Sequence, residues 1–108
     1  MAEAVDITWD TAGRFEHTVS VAPGKPVEVC GKLPARVKVR WDYRAAAPLD
    51  FNVHYHVGKS IVFPAKRSAA VVAQGRLDTK VEQDYCWMWT NKAAEPAALT
   101  VRLARGQS

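Results

Sequence analysis

The chain has 108 residues, 48% of them apolar by type, and a formal charge of +4. One domain of that length can bury a packed core, and no apolar run approaches the roughly 20 residues that a membrane-spanning helix requires. Lys and Arg are interspersed with acids, so the basic stripe with exposed aromatics that a nucleic-acid surface needs is missing, and the mild charge serves solubility.

Residues 1–12 read as an N-terminal arm, with Trp9 placed to cap one end of the fold. From Phe15 to Val21 the chain alternates Phe15, His17, Val19 and Val21 with Glu16, Thr18 and Ser20. A period of two is the mark of a β-strand, because successive side chains point to opposite faces. Pro23-Gly24 turns the chain, and Val27 and Val29 form a second short strand ending near Gly31 and Pro34. Val37, Val39, Trp41 and Tyr43 then face one way, while Arg36, Lys38, Arg40, Asp42 and Arg44 face the other. A strand with one wet face implies an antiparallel sheet.

Ala45 to Pro48 reads as a connection, followed by a strand in which Phe51, Val53, Tyr55 and Val57 oppose Asn52, His54 and His56. Gly58-Lys59 ends it. Ser60 to Phe63 is a short apolar strand that Pro64 stops, which places it at an edge. Ala69 to Ala73 fits a strand or a helical turn, and Arg76 to Val81 leads as a strand into Tyr85-Cys86-Trp87-Met88-Trp89-Thr90. Leu99, Val101 and Leu103 close the pattern, and 104–108 reads as a frayed tail. No helical period persists, so residues 1–108 are expected to form one all-β domain, an antiparallel β-sandwich of seven to eight strands.

Two cysteines are present, Cys30 and Cys86, too far apart in sequence for a CxxC motif. They fit either a bridge or two buried thiols. A bridge would close a long loop and contribute about 4 kcal/mol by the chain-entropy relation. No signal peptide stands at the start, and Ala2-Glu3-Ala4 behind Met1 resembles a mature terminus, which points to a periplasmic or secreted protein.

The order Cys30, Trp41, Cys86 resembles an immunoglobulin domain, but that family sets a tyrosine two residues before the second cysteine. Tyr85 directly precedes Cys86 here, so the two point oppositely. Tyr85, Trp87, Trp89 and Asn91, followed by the alternating Leu99, Val101 and Leu103, resemble the C-terminal signature of the GOLD (Golgi dynamics) domain. Val39 to Tyr43 and Leu49 to Val53 are similar to its paired central strands. The resemblance spans roughly Pro26 to Leu103. It implies a jelly-roll-like sandwich used for protein or lipid association, without the coiled coil and membrane anchor of the cargo receptors. Met88 holds the place of that family's second cysteine. Cys86 stands two residues earlier on the same strand face, so a bridge to Cys30 stays within reach and is expected.

His54-Tyr55-His56 is the metal-like motif. Imidazoles two apart on a strand share a face and can reach one Cu or Zn ion, with Cys86 or Met88 as a third ligand if their strand lies alongside. The competing reading is a hydrated face beside Asn52. Trp41, Trp87, Trp89, Tyr43, Tyr55 and Tyr85 fit a sandwich core better than a recognition patch, because they share parity with Val37, Val39 and Val53. Asn91 reads as a backbone anchor at a strand end, and the Arg36 to Arg44 stripe as a solvated face that can steer an acidic partner. There is no nucleophile elbow, phosphate loop or paired-carboxylate spacing. The expected function is therefore a non-enzymatic, monomeric binding module for a protein or envelope component; the alternative is a periplasmic Cu or Zn protein using His54 and His56.

Overall fold

The structure, a computed structural model, describes residues 3–107. Those residues are all-β and form seven strands: β1 (Glu3–Asp6), β2 (Arg14–Val21), β3 (Pro26–Leu33), β4 (Val37–Val57), β5 (Ser60–Asp78), β6 (Gln83–Thr90) and β7 (Ala97–Gln107). No helix is long and apolar enough to cross a membrane.

The hydrogen-bonded order is β1-β3-β6-β4-β7-β2, with β5 beside β4. One strand makes this a two-layer fold. The first half of β4 pairs with β7, from Val37 opposite Gln107 to Ala45 opposite Leu99. Its second half pairs with β6, from Asp50 opposite Thr90 to His54 opposite Cys86. β4 thus passes from one layer to the other, and β5 follows it along the same side as a 19-residue partner. All pairings are antiparallel except β1 with β3, which is parallel.

Four expectations need correction. The segments 37–44 and 51–57 are one strand of 21 residues. Ala45 to Pro48 stays extended because the ladder to β5 shifts register between Arg44 and Leu49, and a proline is tolerated where a bulge removes the demand for its N–H. Pro64 does not stop β5: it lies between Val62 and Ala65, where the ladder to β4 shifts register, so the missing donor costs no ladder bond. The segments around 60–63, 69–73 and 76–78 are therefore continuous, and the strand ends at Asp78 rather than Val81. Finally, β1 lies inside the segment read as an arm, and β7 runs to Gln107 in the segment read as a tail, held by Lys38 opposite Gly106. The mature-terminus reading of Met1-Ala2 and the last tail residue, Ser108, lie outside the described residues.

The alternation explains the core. Trp87, Trp89, Val39, Val53, Leu99 and Val21 are all fully buried. Trp41 and Tyr43 come from one layer, Phe51 and Trp89 from the other, and their ring centroids lie 4.8–5.6 Å apart. Tilted and edge-on pairs at such distances add about 0.5–1.5 kcal/mol each beyond area burial. The indole Nε1 atoms of Trp87 and Trp89 have no acceptor among the described residues, so packing is what holds these rings. Tyr55 is half-buried and stacks edge-on against Tyr85 at 5.0 Å. Trp9, also half-buried, packs on the core beneath the Arg105 guanidinium.

Asn91 has no solvent exposure and anchors backbone as expected. Its Nδ2 donates to Val21 O at 2.9 Å and to Glu95 O at 2.8 Å, while Oδ1 accepts from Ala93 N. This joins the β6–β7 connection to the end of β2.

Candidate functional site

Three surfaces carry chemistry. The first is the outer face of the layer that contains β3, β6 and the second half of β4. Even-numbered residues point outward there, opposite the aromatic core. Register brings His54 opposite Cys86, Cys86 opposite Cys30, and Met88 between Glu28 and Asn52. The strand of Cys86 and Met88 does lie beside that of His54 with the same face presented. The sulfurs of Cys30 and Cys86 are joined in a disulfide between directly opposed residues, so Cys86 offers no thiolate to a metal.

His54 is buried and His56 exposed, with their rings edge-on at 5.4 Å. His54 Nδ1 lies 2.7 Å from Asn52 Oδ1. An amide oxygen only accepts, so Nδ1 carries a proton, and in the neutral ring Nε2 then holds the lone pair. Glu28 Oε1 lies 3.9 Å from that Nε2 and 3.2 Å from Cys30 Sγ. The bridged sulfur has no proton, so the second contact is not a hydrogen bond. Burial lowers the pKa of His54 below the usual imidazole value, outweighing the Glu28 carboxylate, which raises it; His56 adds a further lowering. Sequence spacing found the two histidines. It could not find Glu28, because only strand pairing places β3 within reach.

The second surface is the outer face of the other layer. Arg40 and Arg44 of the basic stripe lie there, whereas Arg36 sits in the turn before β4 with φ of 66°. Arg14, Ala104, Arg40 and Arg76 form one row across β2, β7, β4 and β5. Acids interrupt the charge: Arg102 pairs with Asp42 at 3.3 Å and Arg76 with Asp78 at 3.2 Å. Such exposed pairs contribute little individually. The result is an open polar groove, whose members from β2, β5 and β7 are invisible to a reading of one strand at a time.

The third surface is the β4–β5 ribbon. Val57, Ile61, Val62, Phe63, Val71 and Val72 are 38–57% exposed, and among the described residues the only other exposed large apolar side chain is Val81. β5 is an edge strand whose outer backbone groups face no neighbouring strand. Pro64, Lys66 and Arg67 separate the two apolar stretches, the usual way to keep an edge from pairing indefinitely. Lys66 Nζ lies 4.1 Å over the Phe63 ring. Asp50 ties the ribbon down, accepting from Ala69 N at 2.9 Å and pairing with Lys92 at 3.0 Å. These contacts lower the Asp50 pKa, the Ala69 N–H having the largest effect.

Among the described residues, no hydroxyl or thiol is hydrogen-bonded to an imidazole or carboxylate, so no activated nucleophile is assembled.

Neither a family model nor a curated protein matches the chain. Its structure is similar to that of Aeromonas hydrophila PliG, a periplasmic inhibitor of g-type lysozyme, at 12% identity and a TM-score of 0.74, covering 97% of both chains. It is similar to Salmonella Typhimurium PliG, an inhibitor of the same kind, at 9% identity and a TM-score of 0.63, covering 96% of this chain and 98% of that one. Yersinia pseudotuberculosis-derived mitogen shares the arrangement at 10% identity and a TM-score of 0.66, over 84% of each chain. At such identities the likeness establishes the fold. Lysozyme inhibitors and a mitogen share it, so function has to be argued from surfaces.

Proposed function

We propose that this protein is an exported, non-enzymatic module that acts by binding another protein, and that its first-choice partner is a lysozyme-type cell-wall hydrolase. The observation that carries the reading is the β4–β5 ribbon. It gathers nearly all the large exposed apolar side chains on a long strand with a free backbone edge. Large apolar groups exposed along one ribbon mark an interaction surface, because a monomer gains nothing by leaving them in water. An extended edge also offers main-chain hydrogen bonds to a partner.

The neighbouring folds supply the choice of partner, since PliG proteins are periplasmic inhibitors of g-type lysozyme. The disulfide supports export, because such bonds persist in oxidising compartments. Kinship with GOLD domains belongs to the same proposal. It is supported by Tyr85, Trp87 and Trp89 facing the core from β6, with Asn91 closing that strand.

The test is inhibition of cell-wall lysis by a g-type lysozyme, with complex formation followed by size-exclusion chromatography. The intact protein inhibits, and Phe63→Asp and Val72→Asp each weaken inhibition about tenfold or more, the loss expected when an apolar anchor is replaced at an interface. Inhibition that survives both substitutions would move the interface off the ribbon. Neither inhibition nor a complex would remove the lysozyme-type partner.

A further inference from the structure

We propose that Glu28, His54 and His56 form a site for one divalent cation of the zinc class on the outer face of the β3–β6–β4 layer. Its core is the gap between His54 Nε2 and Glu28 Oε1, 3.9 Å wide. The His54 side chain is 8% exposed and that of Glu28 19%, so this is a sheltered pocket rather than two groups meeting in bulk water. The Asn52 carboxamide fixes the imidazole with its proton on Nδ1. Nε2 therefore presents a lone pair towards a carboxylate, and a neutral imidazole leaves no proton between them. Two electron-rich atoms held face to face in a partly dry site attract a positive charge between them, which a proton or a divalent cation supplies.

The distances suit an ion. Zinc binds imidazole nitrogen at about 2.0–2.1 Å and carboxylate oxygen at about 2.0–2.2 Å, so one ion spans a nitrogen–oxygen gap of about 3.4 Å when tetrahedral and about 4.2 Å when linear. The observed 3.9 Å falls between these limits. A movement of about half an ångström completes a tetrahedral angle, which a half-buried carboxylate on a flexible stem supplies. The amide on Nδ1 is the outer partner that zinc-binding histidines customarily have.

The third ligand is His56, whose exposed ring turns to bring a nitrogen to the ion. It shares the strand face of His54, its ring stands 5.4 Å away, and it makes no hydrogen bond or ion pair among the described residues. Glu28, His54 and Cys86 place one potential ligand atom each within 4.8 Å of one another. The disulfide removes the Cys86 sulfur as a donor and leaves the His54 imidazole and the Glu28 carboxylate in place, with the exposed His56 ring swinging in to complete the set. That set suits a borderline ion and keeps one position for water.

The experiment titrates the oxidised protein with Zn2+, thiols blocked by alkylation, using calorimetry together with the imidazole NMR signals. Binding of one ion per chain with shifts of both the His54 and His56 rings is expected. Glu28→Gln and His56→Ala should each weaken it about tenfold or more, as loss of a ligand demands. His56 is exposed, so His56→Ala keeps the fold and serves as the decisive variant if Glu28→Gln is unstable. Two results overturn the proposal. One is no saturable binding up to about 1 mM Zn2+, the weakest affinity of interest; the other is equal affinity in wild type and His56→Ala. Lysis inhibition by the metal-free protein is a separate readout that neither result affects.

Discussion

Gly75 is the position where one added carbon costs most. It stands on β5 directly opposite Trp41 of β4, and a Cβ there would meet Trp41 Cζ2 at 2.5 Å, Cε2 at 2.8 Å and Cη2 at 3.2 Å. Ordinary carbon contacts begin near 3.4 Å, so the indole must retreat by about 1 Å. The ring has little room to do so. Trp41 is 4% exposed, and the Phe51 ring centroid lies 4.8 Å from its own. Overpacking of this kind costs about 1–3 kcal/mol, which for a domain of this size lowers Tm by about 5–20 °C. Thermal unfolding of Gly75→Ala followed by near-ultraviolet circular dichroism measures the effect. The cause is isolated by repeating the substitution in a Trp41→Leu background, where the smaller side chain vacates the space. There Gly75→Ala should be neutral or slightly stabilising, because a strand glycine loses more backbone entropy than alanine. An equal loss in both backgrounds would refute the steric account.

Three further outcomes are expected. Replacing Cys30 and Cys86 together by Ala opens a loop with a sequence separation of 56; it should cost about 4 kcal/mol on the chain-entropy relation, read as a fall of about 1–4 M in the urea midpoint. Asn91→Ala deletes two donated and one accepted hydrogen bond at a fully buried position. The stranded backbone groups should make it cost about 2–4 kcal/mol by equilibrium denaturation. Asp50 has a folded pKa below its ordinary 3.8, so the unfolded chain binds its proton first on acidification. Its stabilisation is then complete above that value and is lost as pH falls through the lower, folded one. The stability difference between wild type and Asp50→Asn should therefore be present at neutral pH and fade in strong acid; a difference that grows on acidification would reverse the assigned sign.

Much of the architecture was legible because burial on a sheet repeats every two residues. The parity that groups Val37, Val39, Trp41 and Tyr43 also puts them inside, and Trp87 and Trp89 follow. Asn91 announced its role by standing where a strand ends. Strand lengths were less legible. Pro48 and Pro64 look like stops, and whether a missing N–H ends a strand depends on whether a neighbour needs it. At the two register shifts in the β4–β5 ladder, where Pro48 and Pro64 stand, none does.

The amino-acid order alone settled which side of β2, β3, β7 and the first half of β4 meets water, since that choice is written in neighbouring residues and enforced by the transfer of apolar surface from water. It did not settle which segments lie side by side. Glu28 and His54 are separated by 26 positions in the chain and come within 3.9 Å only because β6 pairs with both their strands. The row from Arg14 to Arg76 likewise exists only across four strands. Pairing and register are chosen by the whole core closing at once, and so the surfaces that can bind belong to the folded molecule.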